Sequence, residues 1–249
     1  CIFREMRKTL MLFYLLSFVF FGCAQMDETS INGVSFVASP DSLQQIQIQP
    51  IKEIHANYAA IMPFGFIRTL DHPEIIFDTD RQWFGETSAG ASQYIELLHK
   101  DGIEVMMKPQ IWIWRGEFTG NLKMNSEEDW IQLENEYRNF ILTYAKLAET
   151  TQVKVFCIGT ELEQFVMQRP TYWKHLIAEI KKVYSGKLTY AANWDEYKRV
   201  PFWDQLDYIG VDAYFPISEA QTPSLEESKA GWKPWKEELK TVSEKFDKP

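Results

Sequence analysis

The sequence predicts an α/β fold in which about six parallel strands are covered by helices. Short apolar runs rich in β-branched and aromatic residues recur along the chain, and longer stretches with a helical spacing of apolar residues separate them. No linker, fixed-period repeat or low-complexity tract divides them. Strands that alternate with helices form βαβ units and a parallel sheet. With 249 residues and 45% hydrophobic content, the chain can fill the core of one large domain of this kind.

The predicted strands are short and largely apolar. In chain order they are residues 33–37, 58–61 running into 64–68, 103–108 with 111–114, 153–158, 188–191 and 208–211. The apolar run at 153–158 is typical of a strand buried on both faces, and Gly159, Thr160 and the carboxylate of Glu161 follow it directly. An acid in that position lies at the C-terminal end of its strand, where parallel α/β barrels carry their chemistry.

The predicted helices repeat apolar residues three and four positions apart. They cover residues 47–57, 89–100, 126–150, 171–184 and 224–246. The third is the best defined, because Ser126 and the three acids after it match a capped first turn and apolar residues then recur through Leu147.

The first 30 residues predict export. From Met6 the chain reads MRKTLMLFYLLSFVFFGC, in which two basic residues precede an apolar stretch that is short for a permanent span of roughly 20 residues. The ending resembles a bacterial lipobox, with Phe20 where Leu is usual. We therefore expect a leader and signal peptide at 1–22, a lipoprotein tether at 23–30 that starts at the lipidated Cys23, and the folded domain at 31–249. The protein would then be an exported, membrane-anchored lipoprotein facing the periplasm or the cell exterior.

The composition and charge of the chain exclude some classes of binding partner. A net charge of -9 and a pI near 5.1 argue against nucleic acid and against anionic membrane surfaces, so we expect contact with a membrane only through the lipid anchor. We expect a neutral substrate and a monomeric protein. Aromatic residues make up 15% of the chain, with nine Trp, and such side chains serve equally as core filling and as stacking surfaces for sugar rings.

Metal and cysteine chemistry are not indicated. Cys157 is the only thiol of the predicted domain and lies inside an apolar strand, where a small buried thiol is ordinary. The four His residues show no spacing typical of a metal site or a catalytic triad. We therefore expect no metal and no cofactor.

Polar and aromatic residues gather where the predicted strands end. They are Arg68, Thr69, Asp71 and His72; Lys108, Gln110, Trp112, Trp114, Arg115 and Glu117; Glu161 and Glu163; Asn193, Trp194 and Asp195; and Asp212 and Tyr214. Taken singly, each has an ordinary structural interpretation as a cap, a packing residue or a surface ion pair. Five consecutive strands that end in this way favour a polar ligand cleft with stacking walls.

Six strands are too few for a closed (β/α)₈ barrel. From the residues alone, the fold is either an open six-stranded sheet or a barrel whose last two βα units lie beyond Pro249.

Five motifs resemble glycoside hydrolase family 113, a clan A family of TIM-barrel β-mannanases. They are GVSFVA, KPQIWIW, CIGTELEQF, YAANWDEY and LDYIGVDAYFP, and the resemblance runs from about residue 31 to the end. It implies an α/β fold of the (β/α)₈ TIM-barrel type that is incomplete at its C-terminus, with about six βα units present and the seventh strand missing. It also implies a retaining β-mannanase-like hydrolase.

The resemblance assigns roles to particular residues. Glu161 matches the acid/base catalyst at the end of the fourth strand, although Thr160 stands where the clan usually has Asn. The contact of that Asn with the sugar 2-hydroxyl would pass to Asn193 or Asp212. Tyr214 matches the tyrosine that hydrogen-bonds the nucleophile. The nucleophile itself is expected on the seventh strand, beyond Pro249, so the present chain would be inactive by itself.

Other strand-end residues are assigned by their chemistry. Trp112, Trp114 and Trp194 are the candidates for sugar stacking. Lys108 either bonds substrate hydroxyls or neutralises neighbouring acids. Glu163 competes with Glu161 for the acid/base role, but it also fits a structural bond to an Arg or to backbone.

The expected function is thus hydrolysis of a β-linked, mannan-type polysaccharide or oligosaccharide by a retaining mechanism. The alternative is a surface lipoprotein that binds carbohydrate on a TIM-barrel scaffold without catalysis.

Overall fold

In a computed structural model that describes residues 30–249, nine strands and six α-helices follow one another along that part of the chain. Residues 32–249 form one unit. The predicted signal peptide, almost all of the predicted tether and the predicted lipidation site Cys23 lie outside the described residues. No helix within the described part is long and apolar enough to cross a membrane.

Six of the strands form one parallel sheet. The nine strands are β1 Gly33–Phe36, β2 Tyr58–Ile61, β3 Phe64–Ile67, β4 Ile76–Phe77, β5 Glu104–Met107, β6 Gln110–Ile113, β7 Val155–Thr160, β8 Lys187–Asn193 and β9 Gly210–Asp212. The main sheet has the order β1-β2-β5-β7-β8-β9, so its strands succeed one another in chain order, as in a (β/α)₈ barrel. The predicted α/β fold with an incomplete barrel is confirmed.

A second sheet of three strands extends the wall of the first. It has the order β4-β3-β6, with β3 and β6 parallel and the short β4 antiparallel to β3. Pro63 separates β2 from β3, and Pro109 separates β5 from β6. Proline has no backbone N–H and therefore breaks the hydrogen-bond ladder of a sheet. The two long strand regions of the sequence thus become four strands, and β4 was not predicted.

The helices cover the outside of the main sheet. They are α1 Gln49–Glu53, α2 Ser88–Lys100, α3 Glu127–Thr150, α4 Glu163–Gln168, α5 Pro170–Val183 and α6 Leu225–Phe246. Ser126 caps α3 as predicted, because its hydroxyl accepts a hydrogen bond from the Asp129 N–H at 3.1 Å. The predicted helix at 47–57 is shorter, since a 3₁₀ turn at Gln45–Ile48 precedes α1 and α1 ends at Glu53. The short α4 was not predicted.

Strand β7 lies at the centre of the core. Its residues from Val155 to Gly159 are buried, as expected for a strand covered on both faces, and Cys157 is a buried thiol. Aromatic side chains of α3, α4 and α5 pack together on the outer side of this strand. The last residue of β7 is Thr160, so the chain emerges from the core at Glu161.

Candidate active site

One ion pair shows how strongly the main sheet curves. Lys108 directly follows β5 and Asp212 ends β9, and the Lys108 Nζ lies 2.9 Å and 3.1 Å from the two carboxylate oxygens of Asp212. Strands β7 and β8 lie between them, and three strand spacings in a flat sheet would separate their backbones by about 14 Å. The strands therefore curl toward a barrel, and their C-terminal ends converge. Lys108 is thus paired with a neighbouring acid, and its contact with substrate hydroxyls stays a prediction.

Glu161 lies in the same region, one residue past the end of β7. Its backbone φ of 50° is in the left-handed region, which is unusual for a residue with a Cβ. Its N–H donates to the Ala191 carbonyl at 2.8 Å, and its carbonyl accepts from the Thr119 hydroxyl at 3.1 Å. A strained backbone conformation held by specific bonds is typical of functional sites.

The electrostatics at Glu161 favour its protonated form. Burial raises the pKa of Glu161, the negative charges of Asp212 and Asp195 raise it further, and the ammonium of Lys108 opposes them. Burial raises the pKa of a carboxyl group because the low dielectric disfavours its charged form. A carboxyl group that keeps its proton closer to neutrality can act as a general acid.

Glu163 has a different environment. It lies in the first turn of α4 and accepts a hydrogen bond from Arg199 Nε at 2.7 Å. A structural bond between Glu163 and an Arg was one of the alternatives that the sequence allowed, and Arg199 is that partner. The ion pair occupies Glu163 with a structural bond, whereas Glu161 has no salt bridge among the described residues.

A buried acid that the sequence analysis missed lies behind Glu161. Glu196 is only 1% exposed, and its carboxylate accepts hydrogen bonds from the Tyr190 hydroxyl at 2.6 Å and from the Asn193 N–H at 2.9 Å. Tyr190 also accepts from the Leu162 N–H at 2.7 Å. Glu196 belongs to the motif YAANWDEY, but nothing in the residue spacing of this motif shows that the side chain of Glu196 turns inward.

The stability of the protein should depend on pH through Glu196. Burial raises the pKa of Glu196 to about 7, although hydrogen bonds from Tyr190 and Asn193 lower it. Between about pH 4.5 and pH 7 the folded state therefore holds a proton that the unfolded state has lost, and stability falls as pH rises through this window. We expect the unfolding free energy to drop by about 2–3 kcal/mol more between pH 5 and pH 8 in the wild type than in Glu196→Gln. Urea unfolding at both pH values measures this, and equal drops would contradict it.

Two of the predicted stacking residues are exposed on one face. Trp112 and Trp114 are 48% and 67% exposed, whereas the alternating Ile111 and Ile113 are buried. Trp114 also lines a groove of about 700 Å³ together with Phe66, Arg68 and Trp83. Trp83 is exposed as well and was not predicted. The small sheet thus presents aromatic rings at the barrel mouth.

The remaining predicted site residues follow β8 and β9. The Asn193 side-chain oxygen accepts from the Trp194 N–H at 2.7 Å. The Trp194 ring packs edge-on against Phe215 and Trp235, so it is partly buried. Tyr214 is 81% exposed. The structure therefore brings together Lys108, Glu161 and Asp212, and it leaves Tyr214 open to solvent.

A family model supplies independent information. The model of glycoside hydrolase family 113 matches residues 38–249, which is most of the chain. No curated protein sequence matches.

Solved structures agree on the fold. The structure of the family 113 β-mannanase AaManA from Alicyclobacillus acidocaldarius, in complex with ManMIm, superimposes with a TM-score of 0.76 at 22% identity. The match covers 88% of this chain and 68% of the mannanase. A complex structure of a family 113 β-1,4-mannanase gives a TM-score of 0.72 at 23% identity, covering 88% of this chain and 70% of that protein. The chain belongs to glycoside hydrolase family 113.

Proposed function

We propose that this protein hydrolyses a β-mannan-type polysaccharide with retention of anomeric configuration, and that Glu161 is its acid/base catalyst. The observation that carries the proposal is the half-buried carboxyl group of Glu161 at the end of β7, whose pKa is raised by burial and by Asp212. Family membership supports glycoside hydrolysis. The mannan specificity is suggested by the names of the structural relatives.

The proposed reaction has two displacement steps. In the first, Glu161 donates its proton to the glycosidic oxygen while a second carboxylate attacks the anomeric carbon, the C–O bond to the leaving sugar breaks, and a glycosyl-enzyme ester forms. In the second, the Glu161 carboxylate takes a proton from water, the water oxygen attacks the anomeric carbon, and the nucleophile leaves as a carboxylate. The same group thus serves as acid and then as base.

The nucleophile is proposed to lie on a strand that follows Pro249. A retaining pair needs its carboxyl groups about 5–5.5 Å apart, so this residue would face Glu161 across the mouth of the barrel. Tyr214 is proposed to bond it, because Tyr214 follows β9 and its hydroxyl has no hydrogen-bond partner among the described residues. Asp212, which forms an ion pair with Lys108, or Asn193 is proposed to bond the sugar hydroxyl that the usual Asn would contact.

The aromatic surfaces fit a sugar chain. The exposed rings of Trp112 and Trp114 offer apolar faces on which pyranose rings stack, and Trp194 offers a further edge. An acidic protein does not repel a neutral polysaccharide. We also propose that the protein acts as an exported monomer that is anchored through a lipid on Cys23 and faces the periplasm or the cell exterior.

Hydrolysis of β-mannan tests the proposed function. A longer form of the protein that continues past Pro249 should release reducing ends from β-1,4-mannan, and NMR should show the β-anomer as the first product. The 249-residue chain should show no turnover. If the longer form binds mannan but releases no reducing ends, the protein is a carbohydrate-binding lipoprotein instead. If it neither binds nor hydrolyses mannan but cleaves another β-linked glycan, the assignment of mannan is wrong and the hydrolase remains.

A further inference from the structure

The backbone around Glu161 is held mainly by strand β8. Its left-handed conformation costs free energy because the Cβ crowds the carbonyl oxygen, so neighbouring bonds must maintain it. Ala191 accepts the N–H of Glu161, and Tyr190 accepts the N–H of Leu162. Both acceptors lie on β8. The hydroxyl of Tyr190 therefore fixes the peptide group that leaves Glu161.

Tyr190 has little freedom to move. Its side chain is fully buried, and its ring lies edge-on to Trp173 and Phe202 at centroid distances of 5.8 Å and 5.6 Å. Its hydroxyl hydrogen points to Glu196, because the oxygen already accepts the Leu162 N–H. Glu196 therefore determines which way the hydroxyl hydrogen points and leaves the oxygen free to accept.

Glu196 joins two parts of the proposed site. One carboxylate oxygen bonds Tyr190 and so reaches the turn at Glu161, and the other bonds the backbone of Asn193 at the end of β8. The acid is nearly inaccessible to water and forms no salt bridge among the described residues. Burying an acid without a neighbouring cation costs folding free energy, and such groups concentrate at functional sites. An apolar residue would fill the same space without that cost, but it would make neither bond.

We propose that Glu196 is a positioning residue that acts through the Tyr190 hydroxyl to hold Glu161 in the orientation needed for proton transfer. The proposal rests on the proposed function for its effect on turnover, whereas the mechanical link from Glu196 to Glu161 stands on the hydrogen bonds alone. Glu196 does not touch the substrate in this scheme.

Two substitutions break the link at different points. Glu196→Gln keeps the volume, but its amide can accept only one of the two donated hydrogen bonds, so either Tyr190 or Asn193 loses its acceptor. Tyr190→Phe removes the acceptor of the Leu162 N–H. In the longer form of the protein we expect each to lower kcat on β-mannan by about 10- to 100-fold with KM within about threefold, because alignment and not binding is lost. The double variant should be no slower than Tyr190→Phe, since both changes act through one hydroxyl.

The pH profile separates the two variants. The titratable groups that face Glu196 are Tyr190 on β8, Glu163 on α4 and Glu161 after β7. Because Glu196 ionises only near pH 7, its negative charge acts on Glu161 only above that pH. Glu196→Gln removes this charge and should shift the part of the alkaline limb of kcat above about pH 7 to lower pH, because Glu161 then loses its proton more easily. Tyr190→Phe keeps that charge and should not produce this shift.

Two matched controls test whether the effects are specific. Tyr184→Phe removes another buried hydroxyl, which bonds the Val153 carbonyl at 2.9 Å just before β7 begins. Glu163→Gln removes a charge two residues from Glu161 but only breaks the ion pair with Arg199. Both should keep kcat within about threefold of the wild type. Losses as large as those of Glu196→Gln would show a general effect and overturn the proposal.

Amide hydrogen exchange tests the link without relying on activity. Exchange at Leu162 should be at least about tenfold faster in both Glu196→Gln and Tyr190→Phe, while residues 155–158 inside β7 keep their protection. Unchanged exchange at Leu162 in Glu196→Gln overturns the positioning role, and so does faster exchange with unaltered kcat. If Tyr190→Phe does not fold, Glu196→Gln decides the question. If the wild type does not hydrolyse mannan, the proposed function fails, and the exchange data still decide whether Glu196 holds the turn.

Discussion

Replacing Glu161 with Gln should lower kcat/KM for β-mannan by about 10²–10⁴-fold or more in the longer form of the protein, because general acid/base catalysis contributes a factor of that size. Gln has the same volume and can still accept hydrogen bonds, but it has no acidic proton for the leaving oxygen and no basic carboxylate for the attacking water. The backbone bonds of Glu161 with Ala191 and Thr119 do not involve the side chain, so the fold should be retained. Initial rates of reducing-end release and the unfolding midpoint measure the two effects.

The leaving group shows whether the loss concerns proton transfer. An aryl β-mannoside whose phenol is strongly acidic needs no protonation, so the first displacement should be nearly as fast in Glu161→Gln as in the wild type. The glycosyl-enzyme should then accumulate and appear as a burst of phenol. In Glu161→Ala, azide should restore turnover by attacking the anomeric carbon and should form a β-mannosyl azide.

Three results would count against the acid/base role of Glu161. They are unchanged activity of Glu161→Gln on mannan, an equal loss on the activated aryl substrate, or a larger loss in Glu163→Gln than in Glu161→Gln. The last comparison is the informative one, because the two acids are two residues apart in sequence. The pKa of Glu161 is raised by burial and by Asp212, whereas the carboxylate of Glu163 is bonded to Arg199.

The main sheet was predictable because each of its strands corresponds to a local pattern of apolar residues in the sequence. Buried parallel strands read as short apolar runs, and their C-terminal ends meet at one edge, so polar residues after each run imply one site. The contact between Lys108 and Asp212 follows from this logic, although the sequence could not select Asp212 as the partner of Lys108. That choice depends on how far the sheet curls, which is a property of all the strands together.

Features that depend on side-chain direction were not predictable. Glu196 lies in a polar stretch after β8, and only the folded structure shows that its carboxylate turns inward to Tyr190. The small sheet depends on two prolines that interrupt long strand regions, and its strand β4 has only two residues, too few for a recognisable period. The high Trp content had two interpretations, and both apply: Trp173 and Trp203 fill the core, while Trp112 and Trp114 are exposed.

Trp173→Ala should have the largest effect on stability, a loss of about 3–5 kcal/mol, because it removes a fully buried indole from a tightly packed cluster. The ring lies 5.3 Å from Tyr137, 5.3 Å from Phe165 and 5.6 Å from Phe202, measured between centroids. These neighbours are themselves parts of the core and cannot collapse into the space without breaking other contacts. Urea unfolding at pH 7 measures the loss.

Replacing Trp173 or Trp203 with Phe separates the contribution of packing to stability from that of the indole hydrogen bond. The indole N–H of Trp173 is buried without a hydrogen-bond partner among the described residues, whereas that of Trp203 donates to the Tyr197 carbonyl at 2.8 Å. Trp173→Phe removes a donor that has no hydrogen-bond partner among the described residues. Trp203→Phe instead removes an existing hydrogen bond and leaves the Tyr197 carbonyl without its donor. Trp203→Phe should therefore cost about 1–2 kcal/mol more, and equal costs would contradict the assignment.

The position of Trp173 connects this core residue to the site. A Cβ added at Gly159 would lie 3.0 Å from the Trp173 ring, so the indole packs against the backbone of β7 two residues before Glu161. Trp173 also contacts the ring of Tyr190, whose hydroxyl holds the Leu162 N–H. A cavity at Trp173 would loosen both supports of the turn. Under conditions where Trp173→Ala is still fully folded, kcat on mannan should therefore fall while Trp203→Phe retains it, and the reverse order would show that the core does not position Glu161 through this residue.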